Sequence, residues 1–385
     1  MRGWPFRLLL LATALGFGGY ALLLPVVPLW VSRGGAGEFG AGLSTGVLMA
    51  VTVATQLGVP ALLRRVGHRA VLCSGMVLLG APAPLLALSS DLGPVLAVAV
   101  LRGVGFGLLT VAGSALVAEL VDPSEHGRAS AWFGYAVGLP QLLFLPAGVA
   151  VADVLGFAGV FVAAGVGPVL SAVVVLFVRG PGTGRAPARA TAVREAGHRA
   201  VRTGGRTVRA APVLAMLACS TAQGGIITFG PLLAPGATIA VPLALFLTAL
   251  GALVGRGVAG EITDRRGRAG ALLPVGTALA AAGMVLVLLS GGASALLVVG
   301  AAVVGTGFGL VQNDAMVALF AAAGPRSYGT ASAAWNVAYD AGTGLGASGL
   351  GAIAEPFGFA AAFGVSALFL LVLTPAVRPV RRRPG

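Results

Sequence analysis

The chain has 385 residues, 57% of them hydrophobic and only 10% charged, with a formal net charge of +13. Soluble domains carry about 25% charged residues. Too few polar side chains are present to cover a water-exposed surface, so lipid is the solvent for most of this chain. All basic residues are arginine, and they fall mostly in short connections between apolar runs. There they orient a membrane protein rather than bind nucleic acid.

In lipid the backbone must satisfy its own hydrogen bonds, which leaves helices or a closed barrel. The apolar runs are continuous over about 20 residues, as helices require, and lack the alternation of barrel strands. Twelve spans are predicted, near 7–31, 42–63, 70–89, 93–118, 130–151, 157–177, 211–234, 238–259, 269–290, 294–321, 329–352 and 357–377. The first resembles a signal peptide in its Arg2 and Arg7. Its apolar run continues past Trp30 without a small-residue cleavage site, so it reads as a membrane helix. Cys73 and Cys219 lie within spans and read as packing residues.

With the N-terminus in the cytoplasm, twenty-two of the 25 arginines fall on the cytoplasmic side. Only Arg33 falls outside, and Arg102 and Arg256 lie within spans. The outer connections carry Glu38, Asp91, Asp153 and Glu355. The positive-inside rule therefore places both termini in the cytoplasm. The segment 179–209 holds eight arginines among Gly, Pro, Thr and Ala. It reads as a basic cytoplasmic linker, 179–210, between an N-terminal six-helix half (1–178) and a C-terminal one (211–385). Without interleaved aromatic residues it does not read as a nucleic-acid arm.

An internal repeat supports that division. Gly105-Phe-Gly-Leu108 recurs 202 residues later as Gly307-Phe-Gly-Leu310. Pro123 and Pro325, Gly127 and Gly329, and Ala129-Ser130 and Ala331-Ser332 keep the same spacing. Two parallel six-helix repeats place a binding site between them near the bilayer midplane.

After the eighth span the chain reads Gly260-Glu-Ile-Thr-Asp264-Arg265-Arg266-Gly267-Arg268. Arg256, Gly260 and Asp264 are four residues apart and share a helix face. A carboxylate among cations at a helix end can hold two helices in one arrangement, and the glycine permits close approach. A charged loop that only fixes topology fits the isolated pattern equally well. On a duplicated frame with a basic central loop, however, Gly-x-x-x-Asp-Arg-x-Gly-Arg resembles the major facilitator superfamily, across essentially the whole chain. That resemblance implies an all-α fold of twelve transmembrane helices in two pseudo-symmetric six-helix bundles. It also implies transport by alternating access and a gating role for Arg256, Gly260, Asp264, Arg265, Gly267 and Arg268. The counterpart loop after the second span has Pro60 in place of the glycine and Arg64 in place of the acid.

Two charges sit deep in spans. Arg102 lies in Arg102-Gly-Val-Gly105-Phe-Gly107, where a buried arginine needs a partner or a water-filled cavity. Its repeat position is Val304, so packing shared by the halves does not require it. The segment looks like the glycine-rich arginine motif of proton-coupled members of the superfamily, which implies a role in proton or substrate coupling. The alternative is an arginine whose head reaches the outer interface. Asp340 lies mid-span, on one face with Trp335, Asn336 and Tyr339. A carboxylate there is costly when ionised and suited to taking up and releasing protons, and the aromatic rings can wall an amphipathic ligand. The alternative is a carboxylate satisfied by hydroxyls or by Arg102. Asn313 and Asp314 lie nearer the cytoplasmic end, where a structural role fits better. Gln56 and Thr228 read as interhelical hydrogen bonders. Tyr20, Gln141 and Gln223 lie on the first, fifth and seventh spans, which the resemblance puts around the cavity. The fifth span keeps little of the signature of drug–proton antiporters.

No catalytic grouping, metal cluster or nucleotide-binding loop is present in the sequence, and no cofactor is expected. The expectation is a secondary active transporter in a bacterial cytoplasmic membrane, exporting an amphipathic small molecule against protons. Uptake of a sugar or other metabolite is the alternative, and a non-transporting receptor or scaffold is the rival of another class. Expected partners are the substrate, protons and surrounding lipid, with the chain acting as a monomer. Protease or tag-accessibility mapping on intact cells should find the 179–209 segment and both termini protected from outside. External cleavage within 179–209 would overturn the topology.

Overall fold

In a medium without water each segment closes its own backbone hydrogen bonds, and the described residues form helices joined by turns and short connections, with no strand among them. The structure, a computed structural model, describes residues 3–121, 126–178, 210–234, 236–266, 269–291, 294–323 and 328–377. It leaves out the side chains of Ala118, His126, Gly127, Arg128, Ser130, Asp264, Arg266, Tyr328 and Gly329. The basic segment 179–209, the Pro123 and Pro325 repeat match, Gly267, Arg268 and the Asp264 side chain therefore lie outside the described residues.

The helices are α1 (Trp4–Leu23), α2 (Val26–Arg33), α3 (Gly37–Gly80), α4 (Leu92–Leu120) and α5 (His126–Leu176). They continue as α6 (Ala210–Leu233), α7 (Ala240–Arg266), α8 (Leu273–Leu289), α9 (Ser294–Ala323) and α10 (Tyr328–Ala376). α1 and α2 together make one apolar crossing, Trp4–Arg33. α3, α5 and α10 have 44, 51 and 49 residues, more than twice what a bilayer needs. Each is two helices divided at a glycine: Gly67 (φ 80°), Gly156 (φ 75°) and Gly358 (φ 79°), with ψ between 162° and 167°. That backbone region is open essentially to glycine alone. Counted this way, and with the 17-residue α8, the described segments are consistent with the twelve crossings expected.

The repeat extends beyond the segments that revealed it. Ala152-Asp153 and Gly156-Phe157 recur as Ala354-Glu355 and Gly358-Phe359, again 202 residues on. Phe157 packs 6.2 Å from Phe161 with Trp30 alongside, and Phe359 packs 6.3 Å from Phe363 with Phe229 alongside.

Glycine sets the helix spacing. In α4, a Cβ on Gly103 or Gly107 would meet the backbone oxygen of Leu48 or Thr52 in α3. On Gly105 it would meet the backbone at Leu79, beyond the α3 break. α9 does the same: Gly305 and Gly309 abut Thr248 and Ala252 of α7, and Gly307 abuts Gly276 and Ala280 of α8. Thr52 Oγ1 donates to Gly103 O at 3.1 Å, and Thr248 Oγ1 donates to Ala301 O at 3.3 Å. α4 and α9 are thus backbone-close wedges, each gripped on two sides. Apolar side chains such as Leu57, Leu88, Leu143 and Leu289 stay exposed and give the outer wall its lipid-compatible surface.

The wedge contact predicts a contrast in stability. Gly309→Ala puts a Cβ 2.2 Å from Ala252 O and should cost about 1–3 kcal/mol. Gly257→Ala, with nothing within 4 Å, should be neutral or better. Thermal unfolding of the detergent-purified variants measures both.

Candidate functional site

Asp340, 3% exposed, lies on the first arm of α10, and its Oδ2 accepts a 2.7 Å hydrogen bond from Gln56 Nε2 on α3. The same amide nitrogen donates to Thr110 Oγ1 of α4 at 3.2 Å, and that hydroxyl donates to Gly107 O at 3.2 Å. Gln56 Oε1 is buried without a hydrogen-bond partner among the described residues. The hydrogen bond that the carboxylate makes among the described residues thus comes from a neutral amide of the other repeat. The hydroxyls and the arginine that sequence reasoning offered as alternatives do not bond it.

Arg102 is also buried, at 4% exposure, about eight residues from Thr110 along α4. Its Nε donates to Leu79 O at 3.2 Å. With Tyr20, Ser44, Thr45 and Leu48 it lines a cavity of about 20 Å³, room for about one water. Arg102 and Asp340 form no ion pair among the described residues. Tyr20 lies within electrostatic range of both, and of Tyr339, and its ring stacks on Phe106 at 4.0 Å.

Arg256 joins this centre from α7. Its Nε donates to Gln312 Oε1 of α9 at 2.9 Å, and Trp335 Nε1 donates to Gln312 O at 3.0 Å. Tyr339 stacks beside Trp335 at 6.0 Å, packs on Phe308 at 5.7 Å and lies within electrostatic range of Arg256 and Asp340. Gln56, Thr110 and Gln312 were not singled out as site residues from sequence. As neutral groups inside long spans they leave no pattern there, and only the register of the helices brings Gln56 and Gln312 onto the charges and Thr110 onto Gln56.

Gln141, Asn336 and Gln223 make no hydrogen bond to this network among the described residues. Gln141 Nε2 donates to Val137 O and Asn336 Nδ2 to Ser332 O, each within its own helix. Gln223 is buried in α6. In the α7 end motif, Gly260 leaves space before Asn313 of α9. Arg265 pairs with Glu261 at 2.6 Å, an exposed contact worth well under about 1 kcal/mol. The turn after that motif is held by a different acid. Asp314, fully buried in α9, accepts from the backbone N–H groups of Gly270, Leu272 and Leu273 at 2.8, 2.7 and 3.1 Å. It thereby gives acceptors to the otherwise unpaired N–H donors of the turn before α8 and of the first residue of that helix.

This architecture, a helical membrane bundle in two related sets with a sparse polar centre between them, is that of a transporter. The sequence matches the Major Facilitator Superfamily model over residues 9–347, and the chain belongs to that family. Solved structures share its fold. A bacterial homologue of the human lysosomal transporter Spinster, inward-facing and occupied, aligns at a TM-score of 0.77 with 16% identity, over 98% of this chain and 96% of that one. The same homologue unoccupied aligns at 0.75. A POT family transporter in complex with 5-aminolevulinic acid aligns at 0.77 with 15% identity, over 97% of this chain and 95% of that one. No curated protein sequence matches significantly.

Asp314→Asn should destabilise the fold. An amide has one acceptor oxygen for three donors and turns its NH₂ toward a backbone N–H. The expected loss is about 2 kcal/mol or more, read as a lowered melting temperature of the purified protein.

Proposed function

We propose that the protein is a secondary active transporter working by alternating access, and that it exports an amphipathic small molecule in exchange for protons. The arginine-rich face lies in the cytoplasm of a bacterial cell in this reading. The halves 1–178 and 211–385 rock as units about the central site, tethered by 179–210, and the chain acts as a monomer.

The observation that carries the proposal is the Gln56–Asp340 hydrogen bond. It joins helices from the two repeats at a titratable group with no ion pair among the described residues. A glutamine serves either protonation state. Its Nε2 donates to an ionised carboxylate, and after rotation of the amide Oε1 accepts from a protonated one. Proton exchange at Asp340 is then coupled to the contact between the halves. Phe308, Trp335 and Tyr339 supply an aromatic wall beside it, which favours amphipathic cargo. Arg102 and Asp264 act in coupling and gating respectively. Two arginines close to this centre, the buried Arg102 and the half-buried Arg256, favour a second reading, proton-coupled uptake of a metabolite that bears an anionic group.

Asp340→Asn preserves shape and removes titration. In proteoliposomes under an imposed pH gradient it should lower gradient-driven transport at least about tenfold, equivalent to about 1.4 kcal/mol, while substrate binding persists. The direction in which the gradient drives the parent separates export from uptake. A variant that concentrates substrate at the parental rate makes Asp340 structural and the proton route wrong.

A further inference from the structure

The end of the bundle remote from the arginine-rich loops is fastened by a contact that the polar centre does not require. Glu355 lies three residues before the α10 break. Its Oε2 accepts a 2.7 Å hydrogen bond from the backbone N–H of Phe39, in the first turn of α3. The first N–H groups of a helix have no intrahelical partner and carry partial positive charge, so a carboxylate there makes a charge-assisted bond. Donor and acceptor are 316 residues apart and belong to opposite repeats.

The backbone on both sides is shaped for this bond. Gly37 has φ 68°, a conformation that favours glycine, and a Cβ there would sit 2.6 Å from Glu355 Oε2. Gly351, one turn earlier on α10, would put a Cβ 2.8 Å from Glu38 O. Two absent side chains let the carboxylate reach the helix end.

The repeat supplies an internal comparison. Asp153 is the counterpart of Glu355, 202 residues earlier and three before its own glycine break. By symmetry it would face the start of α7, but it does not reach it. It pairs with Arg33 at 3.9 Å, and a cavity of about 420 Å³ separates it from Thr238 and Val241. One of two related seams is fastened and the other stands open.

We propose that Glu355 is a latch between the halves: its carboxylate caps α3 and holds the α3–α10 seam shut at this end, so that its release is a step in opening the seam. The seam runs from Glu38 and Gly351 through Gly42 and Ala347 and through Gly46 and Ser348 to Met49 and Gly344. It ends at Gln56 and Asp340. It cannot part from this end while the Phe39 bond persists. The inference rests on alternating access and not on proton exchange at Asp340.

The test measures distances between spin labels at Leu88→Cys and Ile239→Cys, exposed positions on opposite repeats at this end, in the full chain carrying Cys73→Ala and Cys219→Ala. The parent should give one compact distance. The bond is exposed to solvent, so Glu355→Ala should raise the longer-distance population about two- to fivefold, as expected for loss of a surface carboxylate at a helix N-terminus. Gly37→Ala, which displaces the same carboxylate from the other side, should do likewise. Glu355→Gln retains an acceptor oxygen and should shift it less, and Asp153→Ala should leave it unchanged. An unchanged distribution in folded Glu355→Ala, or an equal shift in Asp153→Ala, overturns the latch. No gradient is applied, so this outcome and the outcome of the Asp340 experiment are independent.

Discussion

Helices in lipid gain nothing from hiding apolar side chains from one another, because the surrounding tails are as apolar as leucine. What holds this bundle is close approach of backbone to backbone, permitted where side chains are missing. α4 and α9 show this most plainly. Each presents three alternate glycines, and each is clamped from two sides at distances that a single methyl group would violate. The polar centre depends on that grip. A 2.7 Å bond from Gln56 to Asp340 forms only because α3, α4 and α10 are held at a fixed separation.

The centre is sparing with charge. Arg102, Arg256 and Asp340 share one neighbourhood, yet each leans on a neutral partner: a carbonyl, a glutamine oxygen and a glutamine amide. A buried ion pair would be mutually satisfied and hard to separate. Charges held by neutral groups can change partners at lower cost, which suits the coupling role proposed for this centre.

Much of the frame is legible in the sequence, because its signals are compositional or periodic. Spans show as apolar runs, and the repeat shows as glycines in a shared register. Arg102 and Asp340 stand out because charge is rare in such runs. The partners do not. Gln56 meets Asp340 across 284 residues, and that pairing depends on the rotation of two helices that no local pattern encodes. Asp314 is a similar case. Its position near a span end suggests a structural role, but that it secures the turn before α8 emerges only once α9 is packed beside that turn. Arg256 shares a helical face with Asp264 by spacing, yet its guanidinium bonds Gln312 in the interior.

The brevity of α8 has a consequence for the host membrane. Its 17 residues span about 26 Å, less than the roughly 30 Å of a typical hydrocarbon core. The Asp314-bound turn fixes where the helix starts, so it cannot lengthen at that end by recruiting loop residues. A bilayer of typical thickness has to thin beside α8 or draw residues beyond Leu289 into the span. A thicker, sterol-like bilayer would strain this one edge of the protein, while the longer α9 next to it could accommodate the same thickness by tilting.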